Sequence, residues 1–271
     1  MTSTRTVTAF LDGPDSPDIS NPIHSTDVAQ KFGFKAALVG GVTVYGWCAP
    51  AIIEALGDGW LEDGWADISF RRPVYPGDEM TATVAEMPEG WSLEMTNGAG
   101  AACIRGSVGL GRAHWFADLQ TSNRTTAEPE PATKPELTLE SAPTGQDLRP
   151  MWVPFTLADA TAYALEKQRD NSERWTGPDA LIHPGWIAAR MTPFIKHSYR
   201  YGPSIHARSR IQHLAPARVG SGVTVAGHFL RAYEDNGHRY AEYDGSVISE
   251  FGVEMARIRH TTIFRPRPVT Q

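Results

Sequence analysis

Asn21 and His24 stand three residues apart on a turn that reads Asn21-Pro22-Ile23-His24. A histidine there is a candidate acid/base group, because imidazole titrates near neutrality. Farther on, Gly40-Gly41 open an apolar run, Val42 to Leu56 (VTVYGWCAPAIIEAL). If that run is a helix, the N–H groups near Gly40, Gly41 and Val42 have no carbonyl one turn back to bond. They are then free to hold an oxygen that gains negative charge. A histidine beside a turn, followed by glycines at the mouth of a buried helix, is the layout of a small-molecule site. On residue type alone, His24 reads first as a turn histidine bonded to backbone. Asn21 suits turn-shaping through its side chain. His183, at the start of another apolar run, reads either as a site group or as a buried helix-start histidine, and Asp27 reads as a helix cap.

Those residues need elements to hold them. Residues 1–20 are rich in Asp, Pro and Ser. Asp12, Pro14, Asp15, Pro17 and Asp18 break regular structure, so this stretch reads as an exposed approach to the turn. Ser25-Thr26-Asp27 can cap a short helix over Val28 to Phe32, which Gly33 would end. Val42 to Leu56 is apolar almost all round, as a buried helix is, with Tyr45 and Trp47 in its core-facing set. Pro50 should kink it or start a new turn. Trp65 to Glu86 gives two strands broken at Pro76-Gly77-Asp78. Met80, Ala82 and Val84 there alternate with Thr81, Thr83 and Ala85 at a strand's period of two. Trp91 to Met95 and Ala101 to Gly111 give two more, turned by Asn97-Gly98.

The same plan recurs. Pro154 to Lys167 reads as a helix with Leu157, Ala160, Ala164 and Leu165 on one side, and Leu181 to Ile195 as a second central helix. Strands follow over Ser204 to Arg231, broken at Pro216 to Gly222, and over Arg239 to Phe264. Gly46-Trp47 precedes Gly185-Trp186 by 139 residues, and Pro73-to-Gly77 precedes Pro216-to-Gly220 by 143. A period of about 140 residues is too long for a solenoid and fits two duplicated units. The expected division is a first unit at 1–117, a linker at 118–137 rich in Thr, Pro, Glu and Ala, and a second unit at 138–271. Two such units would join their exposed sheet edges into one long sheet.

Composition narrows the partners. With 271 residues the chain can bury a substantial core, and a net charge of −6 argues against general nucleic-acid binding. Two distant cysteines, Cys48 and Cys103, fit reduced, packed thiols rather than a metal site. No N-terminal apolar stretch fits a signal peptide and none is long enough for a membrane helix. The cytoplasm is the simplest compartment. No metal or redox cofactor is expected. Arg71, Arg72, Arg208 and Arg210 fall on strand patterns and could meet phosphates.

The first half resembles the MaoC-like dehydratases, a family that includes the R-specific enoyl-CoA hydratases. The matching residues are Asn21-Pro22-Ile23-His24, Asp27, Ala29, Gly33-Phe34, Gly41, Pro73-Val74 and Pro76-Gly77-Asp78. They cover most of residues 18–112. The resemblance implies an α+β double hotdog, with two central helices each wrapped by an antiparallel sheet and the sheets joined. It implies addition or removal of water at the 2,3 position of an acyl thioester, with coenzyme A as the carrier. His24 would match the family histidine, Asp18 its carboxylate partner, and Gly40, Gly41 and Val42 the thioester clamp. Asn21, His183 and Arg72 would complete the substrate contacts.

The match departs from the family at one position. The family pattern is Asp, any residue, Asn, Pro, any residue, His. Here Ile19 stands where that Asp belongs, and Asp18 lies one position early, so a one-residue bulge would be needed to bring it in. In the second half Asp170 aligns with the family Asp, but Trp175 stands where the His belongs. Two alternatives follow from the changed pair. One is a hotdog thioesterase or altered-substrate relative. The other is a non-catalytic binding or partner subunit. Hotdog units pair, so a homodimer is among the expected assemblies, although a duplicated chain supplies its own pair.

Overall fold

A computed structural model describes residues 1–267. The first half runs β1 (Thr2–Thr8), α1 (Thr26–Lys31), α2 (Gly41–Gly46), α3 (Ala49–Leu56) and α4 (Trp60–Asp63). Its remaining strands are β2 (Trp65–Phe70), β3 (Glu79–Met87), β4 (Gly90–Asn97) and β5 (Ala102–Gly109). The second half runs β6 (Gln146–Asp147), β7 (Met151–Pro154), α5 (Leu157–Ala162), α6 (Pro184–Ala189) and α7 (Met191–Ser198). It ends in β8 (Ile205–His213), β9 (Gly222–Asp235), β10 (His238–Ser249) and β11 (Glu254–Arg265).

The eleven strands among the described residues form one sheet in the order β1-β3-β4-β5-β2-β8-β11-β10-β9-β6, with β7 also on β9. The first half contributes the order 1-3-4-5-2 and the second 8-11-10-9-7, which is the same connection pattern reversed. The seam is the antiparallel pair β2–β8, with Trp65 opposite Gln212 and Ile68 opposite Ser209. Each edge thereby covers the other. Arg208 and Arg210 lie along this seam and hold the Asp67 carboxylate at 2.7 and 3.1 Å, so they face an internal partner.

The central helices fill the inside of the curved sheet. On β3, Met80, Ala82 and Val84 are fully buried while their neighbours are not, and α3 packs on β1 and β3 with Ala51 and Ile52 fully buried. The expected single helix is two. Its break falls at Trp47-Cys48, and Pro50 sits in the first turn of α3, where its missing N–H costs no bond. The helices of the two halves cross at glycines: a Cβ on Gly185 would lie 3.0 Å from Cα of Gly46. The repeated Gly-Trp pair therefore marks the crossing of α2 and α6. The glycine lets the backbones approach, and Trp47 and Trp186 are both buried.

Two expectations need correction. Residues 2–8 are a strand, β1, paired along its length with β3. Its threonines favour extended backbone, but an edge strand with few apolar residues lacks the alternation that would reveal it. In the second half, Leu157 and Leu165 are exposed and only Ala160 and Ala164 of the expected apolar side are buried. There α5 starts on a Thr156–Asp159 capping box and loosens into a π-turn at Tyr163–Gln168. Residues 118–137 are fastened to the second half. The Gln120 N–H donates to Asp244 at 2.7 Å, the Asn123 N–H to Asp147 at 2.9 Å, and Arg149 pairs with Glu128 at 2.7 Å.

Candidate active site

A cavity of about 600 Å³ opens where α2 begins, close to the seam. That volume suits a small organic ligand. Asn21, His24, Gly40, Gly41, Val42 and Arg72 all line it. Asp18 and His183 are not among its lining residues. Asp18 is exposed on the approach loop, where its backbone N–H meets Ser16 Oγ at 3.4 Å. Its neighbour Ile19 lines the cavity in its place.

The turn is built locally. Pro22 opens a single 3-10 turn ending at His24, and the Ser25 N–H closes it on the Pro22 carbonyl at 3.0 Å. Helix α1 follows, ended by Gly33 at φ 82°, a conformation that strains any side chain. Beyond it the chain returns, and Leu38 N–H bonds the Ile23 carbonyl at 3.4 Å. The return brings the Leu38 carbonyl to 2.7 Å from Nδ1 of His24. A carbonyl only accepts, so Nδ1 carries the proton.

The other ring nitrogen is set by Asn21. Its amide is locked by Ser204 of the second half: Oδ1 accepts from the Ser204 N–H and Nδ2 donates to the Ser204 carbonyl, both at 3.0 Å. The locked Nδ2 also lies 3.2 Å from Nε2 of His24, so Nε2 is the acceptor. His24 is thus the neutral tautomer with its basic lone pair at Nε2. Burial pushes its pKa below the usual histidine value; the Leu38 bond and the negative charge of Asp12 work against that, and Lys196 adds to it.

The helix entrance is tight. A Cβ at Gly41 would lie 3.0 Å from the Phe70 ring and 3.3 Å from Cβ of His206. Phe70 and His206 pack with ring centroids 4.2 Å apart and planes tilted by 37°, and form one wall, with His206 Nε2 on Ser209 Oγ at 2.8 Å. The first intrahelical bonds run from Thr43 and Val44 to the Gly40 carbonyl at 2.9 and 3.0 Å. The N–H groups of Gly41 and Val42 precede them and have no carbonyl one turn back to bond.

Asp12, Thr43 and Ser204 escaped sequence reading. Asp12 lines the cavity and accepts from Thr43 Oγ1 at 2.7 Å. It hid among helix-breaking Asp and Pro residues, and no local spacing ties it to His24. In the second half, His183 caps α6, its Nδ1 accepting from the Gly185 N–H at 3.1 Å. It is nearly fully buried beside Trp175, 3.9 Å from Asp170, and Asp170 itself accepts from Trp175 at 2.7 Å. His183, expected among the substrate contacts, is therefore a packed cap, and Asp170, aligned with the family Asp, bonds the Trp175 that stands where the family His belongs.

No family model matches the sequence, and no curated protein matches it significantly. The structure does match solved structures. A MaoC-like dehydratase aligns with TM-score 0.57 at 15% identity, covering 90% of this chain and 89% of that one. A Mycobacterium tuberculosis protein described as having a double hotdog fold aligns with TM-score 0.51 at 11% identity, over 90% and 86%. A putative thioesterase from Novosphingobium aromaticivorans aligns with TM-score 0.50 at 12% identity, over 97% and 96%. Identities this low establish the fold alone: this chain is a double hotdog protein whose structural neighbours include MaoC-like dehydratases and a thioesterase.

Proposed function

We propose that this protein adds water to, or removes it from, the 2,3 position of an acyl thioester. The observation that carries the reading is the neutral His24, held between the Leu38 carbonyl and the Asn21 amide on the wall of a ligand-sized cavity, beside the start of α2. In hydration, the water that attacks the β-carbon takes the place of the Asn21 N–H at Nε2, which accepts its O–H. The Gly41 and Val42 N–H groups hold the thioester oxygen as it takes up charge, where such donors contribute most. A carboxylate on the cavity wall carries the moving proton. His24 shares in this acid/base work because burial keeps it in its acceptor form at neutral pH.

Arg72, exposed on the cavity rim, is suited to a phosphate of a coenzyme A carrier. The rest of the lining is largely apolar, including Ile23, Leu38, Phe34 and Ile263, which suits an acyl chain. None of the helices among the described residues is long and apolar enough to cross a membrane.

The absence of a carboxylate at position 19 keeps thioester hydrolysis as a second reading, since the same entrance would hold that reaction's oxyanion. One experiment separates them. Purified protein is mixed with a short and a bulky trans-2-enoyl-CoA, following loss of the conjugated-enoyl absorbance and release of free thiol together. Hydration without thiol supports the proposal; thiol release without hydration replaces it.

A further inference from the structure

We propose that Asp12, delivered by the loop after β1 rather than by the turn that carries His24, is the carboxylate that moves the proton in this site. Asp12 and His24 line the same cavity. Thr43 Oγ1 donates to Asp12 Oδ2 at 2.7 Å. That hydroxyl and Cε1 of His24 flank one glycine: a Cβ on Gly40 would lie 3.4 Å from the first and 3.8 Å from the second. Glycine at 40 leaves open the space that the Asp12–Thr43 pair and the imidazole share. Asp12 is also close enough that its charge acts on His24.

The loop is held for this. Ala9 N–H bonds the Asp78 carbonyl and its own carbonyl accepts from Gly77 N–H, both at 2.8 Å. Lys167 of the second half donates to the Asp12 backbone carbonyl, and the Arg169 guanidinium stacks 3.7 Å over the Phe10 ring. Both halves therefore fix the segment, and Thr43 fixes the side chain. Oδ2 is taken by Thr43; among the described residues no side chain or backbone group bonds Oδ1.

The step balances with one proton. As the water oxygen bonds the β-carbon, one water proton passes to the Asp12 carboxylate and the other O–H stays on His24 Nε2. The π electrons of the 2,3 bond move onto the thioester oxygen at the α2 entrance. The Asp12 proton then transfers to the α-carbon, the carbonyl re-forms, and Asp12 is a carboxylate again. Dehydration runs the same path backward.

This inference rests on the hydratase reading, and its test has two arms so that the two can fail separately. Asp12→Asn is compared with wild type and with Asp18→Asn, each checked for unchanged circular dichroism. In the first arm, crotonyl-CoA hydration by Asp12→Asn should lose at least about 100-fold in kcat with KM changed by less than about threefold, the size of general acid–base catalysis. Asp18→Asn should keep its rate within about twofold. In the second arm, NMR titration of ¹⁵N-histidine should show the His24 midpoint falling in Asp12→Asn, because a neighbouring negative charge has gone. Retained hydration in Asp12→Asn overturns the assignment. If wild type hydrates no enoyl thioester, the functional reading fails; the titration then decides alone, a fall supporting the Asp12–His24 pairing and an unmoved midpoint overturning it.

Discussion

Asn21 and Ser204 are joined by two reciprocal hydrogen bonds of 3.0 Å, side-chain amide to backbone, reaching from the first half to the second. That pairing turns the Asn21 N–H toward Nε2, the nitrogen of His24 that the Leu38 bond leaves basic, and so supports the neutral ring. The duplicated fold thereby controls a proton on one side chain. The second half does not repeat the site; it orients it.

Removing this control should be visible at His24. The Asn21 N–H supports the neutral ring, and a hydrogen bond to the neutral form opposes protonation. In Asn21→Ala the His24 midpoint should rise, and kcat/KM for hydration should fall by roughly 10- to 100-fold as the ring loses its fixed position. ¹⁵N-histidine NMR and steady-state kinetics on the same preparation check both. An unchanged midpoint would show that the amide does not favour the neutral ring.

Gly41 should tolerate no side chain in function. A Cβ there meets the Phe70 ring at 3.0 and 3.1 Å, so this ring of the cavity wall must give way. Alanine also favours helix over glycine, by up to about 1 kcal/mol. Gly41→Ala should therefore change the melting temperature little while lowering kcat/KM about tenfold or more. Calorimetry and the hydration assay separate the two effects.

Gly185→Ala tests the crossing of the two central helices. Its Cβ would press on the Gly46 backbone at 3.0 Å, and backbone yields less readily than a side-chain end. Overpacking of this kind costs about 1–3 kcal/mol. Urea denaturation should show that loss. No loss would mean the helices separate freely.

Buried histidines make stability depend on mild acid. Burial lowers His213 to about 4 and His260 to about 3, and holds His183 down as well, though Asp170 opposes this. Above about pH 6.5 neither the folded nor the unfolded chain protonates them. As pH falls below 6.5 the unfolded chain takes up protons that the fold refuses, so stability is full above that value and drains toward pH 4. Each such group contributes a slope of up to about 1.4 kcal/mol per pH unit. Urea titrations at pH 7.0 and 5.5 lie above the range where most carboxylates protonate. They should show the decline, and His213→Phe should reduce the slope by one proton.

Most of the fold was legible because its signals are local. The period-two run at Met80, Ala82 and Val84, the turn at Pro76-Gly77-Asp78 and the glycine after α1 each state their own conformation. The repeated Gly-Trp pair, visible as a spacing, proved to be the point where the helices touch. Strand β1 was hidden because its threonines and Arg5 form an edge with little apolar alternation. The site was half legible for the same reason. His24 and Gly40-Gly41 lie in one continuous stretch with the turn that presents them, so a short pattern exposes them. Asp12 reaches the cavity through β1 and a hydroxyl on α2, and Ser204 arrives from the other half, so no spacing in the chain encodes either. His183 misled in the opposite direction, its place before a glycine and an apolar helix being that of a cap.

The most direct test of the account is hydration of crotonyl-CoA by wild type and by His24→Ala at pH 7.5, read as loss of the enoyl absorbance. Wild type should turn the substrate over, and His24→Ala should be slower by roughly 10²- to 10⁴-fold, the usual contribution of a positioned acid/base group. Equal rates in the two proteins would contradict the account.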